Sequence, residues 1–137
     1  MKIRPIILCG GEGTRLWQKS TNNEPKQFIN FGGWNLFEKT LKRIKGPLFD
    51  YPIISTNVKY LKKTKFYLKK NKFKKYRIVL EPAKRNTGPA VLSAALVTDI
   101  PNKQPLLFLP SDHLLEKNNI FNKNLIKNSK YLNNKNI

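Results

Sequence analysis

The chain has 137 residues, enough for one domain around one hydrophobic core. Its 27 Lys and Arg against 8 Asp and Glu give a formal charge of +19, and it contains no apolar run long enough to form a membrane-spanning helix. A single cysteine, Cys9, excludes an internal disulfide and suits a reducing cytoplasm. Its place at the end of an apolar run makes it core filler. The opening residues, Met1-Lys2-Ile3-Arg4-Pro5, lack the apolar stretch of a signal peptide.

Strand and helix patterns alternate along the chain. Ile3 to Cys9 reads as a buried strand. Asn35 to Lys45 reads as a helix with Leu36, Phe37, Leu41 and Ile44 inward, closed by Gly46-Pro47. Pro52 to Ser55 is a second strand and Lys59 to Asn71 a second helix, in which Leu61 and Leu68, like Tyr60 and Tyr67, share a face at heptad spacing. Arg77 to Leu80 is a third strand. Thr87 to Asp99 is a third helix, with Pro89 in its first turn. Leu106 to Leu109 is a fourth strand, and Ile120 to Tyr131 a last helix with Asn119 as a cap. Lys130 to Ile137 reads as a frayed tail. There is no internal repeat.

Repeated strand–helix–strand units predict an α/β fold: a doubly wound, mostly parallel sheet with helices on both faces. Ligands in such sheets sit beyond the carboxyl ends of the strands, where the strand order reverses. Three polar segments follow predicted strands: Gly10 to Arg15, Glu81 to Gly88, and Pro110 to His113. Parallel strands place all three on one edge.

The first segment, Gly10-Gly11-Glu12-Gly13-Thr14-Arg15-Leu16, has the chemistry of a phosphate grip. Glycines let the backbone approach a ligand closely, and their N–H groups surround phosphate oxygens. Arg15 adds a planar fork, and Lys26, in Pro25-Lys26-Gln27-Phe28, a point charge. Neither familiar phosphate loop fits. The dinucleotide fingerprint needs glycine where Leu16 stands, and the Walker loop needs Lys-Ser/Thr after Gly13.

These residues carry a family resemblance. Leu8-Cys9-Gly10-Gly11-Glu12-Gly13-Thr14-Arg15-Leu16-Trp17 followed by Pro25-Lys26-Gln27-Phe28 resembles the opening signature of the mannose-1-phosphate guanylyltransferases. Glu81-Pro82-Ala83-Lys84-Arg85-Asn86-Thr87-Gly88-Pro89-Ala90 and Leu109-Pro110-Ser111-Asp112-His113 resemble two later motifs of the same family, in the same order.

The resemblance implies a Rossmann-like nucleotidyltransferase fold, with the whole chain as the amino-terminal part of one such domain. It implies transfer of GMP from GTP to α-D-mannose 1-phosphate, giving GDP-mannose and pyrophosphate, with Mg²⁺ as cofactor. Leu8, Gly10, Gly11, Gly13, Thr14 and Arg15 would hold the nucleotide's phosphates, Arg15 facing the leaving pyrophosphate. Lys26 would meet the reacting phosphates. Glu81, Asn86, Thr87 and Gly88 would lie beside the nucleoside, although Asn86 or Thr87 as a helix cap is an alternative role. Arg85 would anchor phosphate or a loop carboxylate. Asp112 would bind the metal, or else serve as a loop or capping carboxylate. Glu12, a carboxylate beside phosphates, would be repulsive unless it pointed outward or faced a metal. His113, the sole histidine, is a loop residue or an aid to the metal or substrate.

Three positions depart from the family pattern: Gln18 stands where Pro is usual, Thr21 where Arg is usual, which removes one phosphate-side cation, and Gly88 where Ala is usual, a mild change. The resemblance covers about the first third of a family member. A sugar pocket, a second metal-binding carboxylate and an oligomerisation region are expected further along, so this chain would associate with itself or with that remaining part. Competing expectations are a nucleotide-binding remnant without turnover, another sugar-1-phosphate nucleotidyltransferase, and a basic polyanion- or RNA-binding module. The last rests on lysine content, densest from Lys59 to Lys75, and the plainer reading of that run is the solvated face of an amphipathic helix. No specific nucleic-acid signature and no membrane association are expected.

Overall fold

The computed structural model describes residues 2–10, 24–81, 87–97, 101, 103–129 and 131. Four parallel strands, β1 (Arg4–Cys9), β2 (Ile53–Asn57), β3 (Arg77–Glu81) and β4 (Leu106–Pro110), form one sheet in the order β3-β2-β1-β4. Helices α1 (Leu36–Arg43), α2 (Leu61–Lys70), α3 (Thr87–Ala95) and α4 (Asn118–Ser129) cover its two faces.

The strand alternation sorts residues between the faces. Ile7, Cys9, Ile54 and Leu109 bury toward Phe37 and Leu41 of α1 and Leu68 of α2. Ile6 and Ile53 bury on the opposite face with Ala94 of α3. Connections β1–β2 and β2–β3 step in one direction, whereas β3–β4 returns past both neighbours to the far side of β1. With right-handed crossovers, that reversal sends α3 to the opposite face from α1 and α2. Phe121 and Leu125 of α4 pack with the α1 and α2 side. The strand order therefore switches between β1 and β4, which makes their carboxyl ends the site edge.

Local chemistry explains the helix limits. Asn35 caps α1, its side chain accepting from the Glu38 N–H at 2.8 Å. Glu38 is itself buried, with Lys70 Nζ 2.9 Å and Asn71 Nδ2 3.4 Å from its Oε1, and so ties α1 to α2. Gly46, at φ +128°, supplies the left-handed turn after α1. The four inward positions expected in this helix, Leu36, Phe37, Leu41 and Ile44, are all buried.

The second predicted helix begins as a 3-10 turn, Val58–Tyr60, and becomes α-helical at Leu61. Tyr60 and Leu68 are buried and Tyr67 packs on the same core, while Phe66 faces outward. The last helix begins at Asn118, with Phe121 N–H donating to the Lys117 carbonyl at 3.1 Å. Asn119 thus lies within the first turn, and its expected capping role is corrected. The expected tail falls almost wholly outside the described residues. Among the described residues, no helix is long and apolar enough to cross a membrane.

At the amino-terminal edge of the sheet, Arg4 is buried but fully engaged. It meets Asp50 at 2.8 Å, Gln104 at 3.0 Å and the Tyr51 carbonyl at 3.0 Å, with its guanidinium 3.6 Å over the Tyr51 ring. Burial opposes ionisation of Asp50, but the Gln104 amide, the Tyr51 N–H and the charges of Arg4 and Lys2 outweigh it and hold this carboxyl below its usual range. This network closes the end of the sheet opposite the site.

Candidate functional site

The site edge lies at the carboxyl ends of β1, β3 and β4. Cys9 ends β1 and Gly10 follows it, while the Leu8 carbonyl accepts from the Ser111 N–H at 3.1 Å, extending the β1–β4 pairing past Pro110. Cys9 is fully buried, and burial pushes its thiol up to about 12. It is a neutral core group, as its apolar context predicted, and does not serve as a nucleophile.

Lys26 opens a 3-10 turn, Lys26–Phe28, that is braced on both sides. Gln27 is buried, and its Nε2 donates to the Cys9 carbonyl at 3.2 Å. Phe28 stacks on Tyr67 with ring centres 5.7 Å apart and meets Phe37 edge-on at 5.5 Å. These anchors hold the turn against the end of β1. Lys26 Nζ then reaches Asp112 Oδ2 at 3.3 Å, across 86 residues of sequence. Both side chains keep partial solvent access, at 23% and 35% exposure. A ligand can therefore reach either charge. His113 is exposed, with Nε2 3.9 Å from Asp112 Oδ1.

Glu81, the last residue of β3, turns its carboxylate back across the sheet edge. Ser55 Oγ, fully buried on β2, donates to Glu81 Oε1. The carboxylate lies so close to Gly10 that a Cβ there would stand 2.6 Å from Oε2 and 2.9 Å from Oε1. Gly10 is thus a glycine for space, since no positive φ requires it.

Among the residues expected at the site, the fold brings together Lys26 with Asp112, Gly10 with Glu81, and Leu8 with the start of the Asp112 turn. Thr87 opens α3, and Gly88 is exposed in its first turn. Gly11, Gly13, Thr14, Arg15 and Asn86, together with Glu12 and Arg85, lie outside the described residues. Three supporting side chains escaped the sequence reading: Ser55, Gln27 and Arg43. A serine closing the apolar run Pro52-Ile53-Ile54-Ser55 was a signal for the first, because a polar group at the end of a buried strand needs a partner. Gln27 and Arg43 had no comparable local mark.

The described residues hold no cluster of three or more acidic, His or Cys side chains. A closed metal cage is therefore not formed among them. A hydrated Mg²⁺ asks less, since it keeps several waters and takes one or two carboxylates plus substrate phosphates. Asp112, partly exposed at the edge and already paired to a cation, fits that donor set.

The profile of the nucleotidyl transferase family matches residues 4–135. The alginate biosynthesis protein AlgA of Pseudomonas fluorescens is 38% identical over 114 residues, covering 82% of this chain and 24% of that protein. A mannose-1-phosphate guanylyltransferase of Escherichia coli is 36% identical over 117 residues, covering 82% of this chain and 25% of that protein. The chain thus spans about a quarter of the length of these curated relatives. A Thermus thermophilus structure described as mannose-1-phosphate geranyltransferase superposes with a TM-score of 0.74 at 28% identity, covering 98% of this chain and 39% of that one. A mannose-6-phosphate isomerase structure from Helicobacter pylori gives 0.73 at 28% identity, covering 95% and 46%. With the family profile matched across nearly the whole chain, this chain belongs to the nucleotidyl transferase family.

Proposed function

We propose that this chain carries the nucleotide- and metal-binding part of a mannose-1-phosphate guanylyltransferase. The observation that carries the reading is the meeting of Lys26 and Asp112 at the β1–β4 switch point, beside the end of the strand that leads into the glycine loop. The relatives named mannose-1-phosphate guanylyltransferase support mannose 1-phosphate as the acceptor of a guanylyl group, with GTP as its proposed donor.

In this reaction an oxygen of the sugar phosphate attacks the α-phosphorus of GTP, and the bond to pyrophosphate breaks. Both reactants are polyanions, so positioned cations and N–H groups lower the barrier. Lys26 sits where it would leave Asp112 for the reacting phosphates. The N–H groups from Gly10 to Thr14 would hold the triphosphate, and Arg15 would neutralise the leaving pyrophosphate. Glu81, Asn86, Thr87 and Gly88 would form the nucleoside side of the site, with Ser55 steadying Glu81. Asp112 would hold Mg²⁺, which supplies charge neutralisation between the phosphates. A buried, reduced cysteine suits work in the cytoplasm.

Calorimetry with GTP and with ATP, each with Mg²⁺ and at rising salt, tests this reading. GTP is expected to bind more tightly, with a preference that survives salt. Equal affinities that fall together as salt rises would reduce the binding to general attraction toward a +19 chain and refute it.

A further inference from the structure

We propose that Arg43 is a positioning residue for the Asp112 turn, fixing the carboxylate in the place where a divalent cation and phosphate must meet it. The inference rests on the reading of Asp112 as a metal ligand.

Among the described residues, two arginines are almost completely buried, Arg4 and Arg43, at 2% exposure each. Their surroundings differ. Arg4 has a carboxylate, an amide and a carbonyl, and its charge is compensated. Arg43, the last residue of α1, meets no carboxylate among the described residues. Its Nε has no hydrogen-bond partner, and burial pulls the guanidinium's pKa down. Its guanidinium carbon lies 5.8 Å from the Phe121 ring centre, and Nη2 donates to the His113 carbonyl at 3.1 Å.

For stability alone this is a poor use of a core position. A desolvated cation without a counter-charge costs free energy, and a well-packed apolar side chain of similar size often does as well or better. What Arg43 does that an apolar residue cannot is grip the backbone of the residue after Asp112. There the chain leaves the sheet, the last sheet-type bond being Ser111 N–H to the Leu8 carbonyl at 3.1 Å. Asp112 is thus held from three sides: the sheet before it, Lys26 on its carboxylate, and Arg43 behind the next carbonyl. Lys26 must let go when phosphate arrives, but Arg43, buried and remote from solvent, need not.

The test uses the whole chain and three variants: Arg43→Met, Arg43→Lys and, as a control for losing a buried arginine at the other edge, Arg4→Met. The readouts are Mn²⁺ affinity by electron paramagnetic resonance with GTP present, and amide hydrogen exchange across residues 108–116, both well below the melting temperature. Arg43→Met is expected to weaken Mn²⁺ binding by about tenfold, the scale of a lost outer-shell support, and to speed exchange in the turn. Arg43→Lys should recover part of both, and Arg4→Met should change neither. If Arg43→Met does not fold, Arg43→Lys decides on the same two readouts. Wild-type Mn²⁺ affinity in folded Arg43 variants, or an equal loss in Arg4→Met, overturns the positioning role. A wild-type chain indifferent to Mn²⁺ instead removes the premise that Asp112 binds metal, and the proposal falls with it.

Discussion

Replacing Gly10 by alanine should expose a coupling between the first and third strands. A Cβ at this position would stand 2.6 Å from Glu81 Oε2 and 2.9 Å from its carboxyl carbon. The backbone there requires no positive φ, so the substitution by itself would stabilise the chain by ~0.4–1 kcal/mol through the unfolded state. The Glu81 carboxylate must then move, giving up its bond from Ser55 Oγ. A hydrogen bond to a charged group contributes about 1.5–3 kcal/mol, and half-burial of Glu81 argues for the lower part of that range. Gly10→Ala in the wild-type background should therefore cost about 1 kcal/mol net. In a Glu81→Ala background the clash is absent, and the same change should be neutral or slightly stabilising. The coupling is then about 1–2 kcal/mol, within the range found for residues in contact. Urea unfolding of the four chains measures it. The orphaned Ser55 hydroxyl is common to both Glu81→Ala chains and cancels. An equal cost of Gly10→Ala in both backgrounds would show that Glu81 does not occupy this space and would refute the reasoning.

Two further outcomes are expected. Arg15→Ala and Lys26→Ala should each weaken Mg²⁺–GTP binding by about 1–3 kcal/mol, the value of a lost charge-assisted contact, while Lys69→Ala on the outer face of α2 should change little beyond screening. Calorimetry in which Lys69 matters as much as Arg15 would place the anion on the basic helix instead. The Cys9 thiol, raised from 9.0 to about 12 in the folded chain, contributes stability that is full below pH 9 and is lost as pH climbs toward 12, on the order of 4 kcal/mol as an upper bound. Stability measured from pH 8 to 11 should therefore fall more steeply for wild type than for Cys9→Ala; parallel curves would show that the thiolate is tolerated in the core.

Some of this was legible locally. The inward face of α1 followed from the spacing of Leu36, Phe37, Leu41 and Ile44, and its end from Gly46-Pro47, because helix period and backbone freedom are properties of short segments. The start of α4 differs from expectation because Asn119 has capping chemistry, whereas the helix already begins at Asn118, with the Lys117 carbonyl accepting from the Phe121 N–H. The polar segments after strands announced a site edge, since parallel strands share a direction. Lys26 and Asp112 were both singled out from their motifs, but nothing local indicated that they touch.

What the sequence determined by itself was the alternation of strand and helix, and hence a parallel sheet with its loops on one edge. Periodicity encodes the face a residue presents, not the neighbour it finds. Whether β4 lay beside β1 or beyond β3 was a choice among sheet orders with the same local pattern. Only the tertiary structure decided it, through the reversal that buries α3 on the opposite face. That choice brought Lys26 to Asp112 and Arg43 to the His113 carbonyl, partners 86 and 70 residues apart. Such contacts depend on how the whole sheet closes its core, and no window of sequence contains both members of the pair.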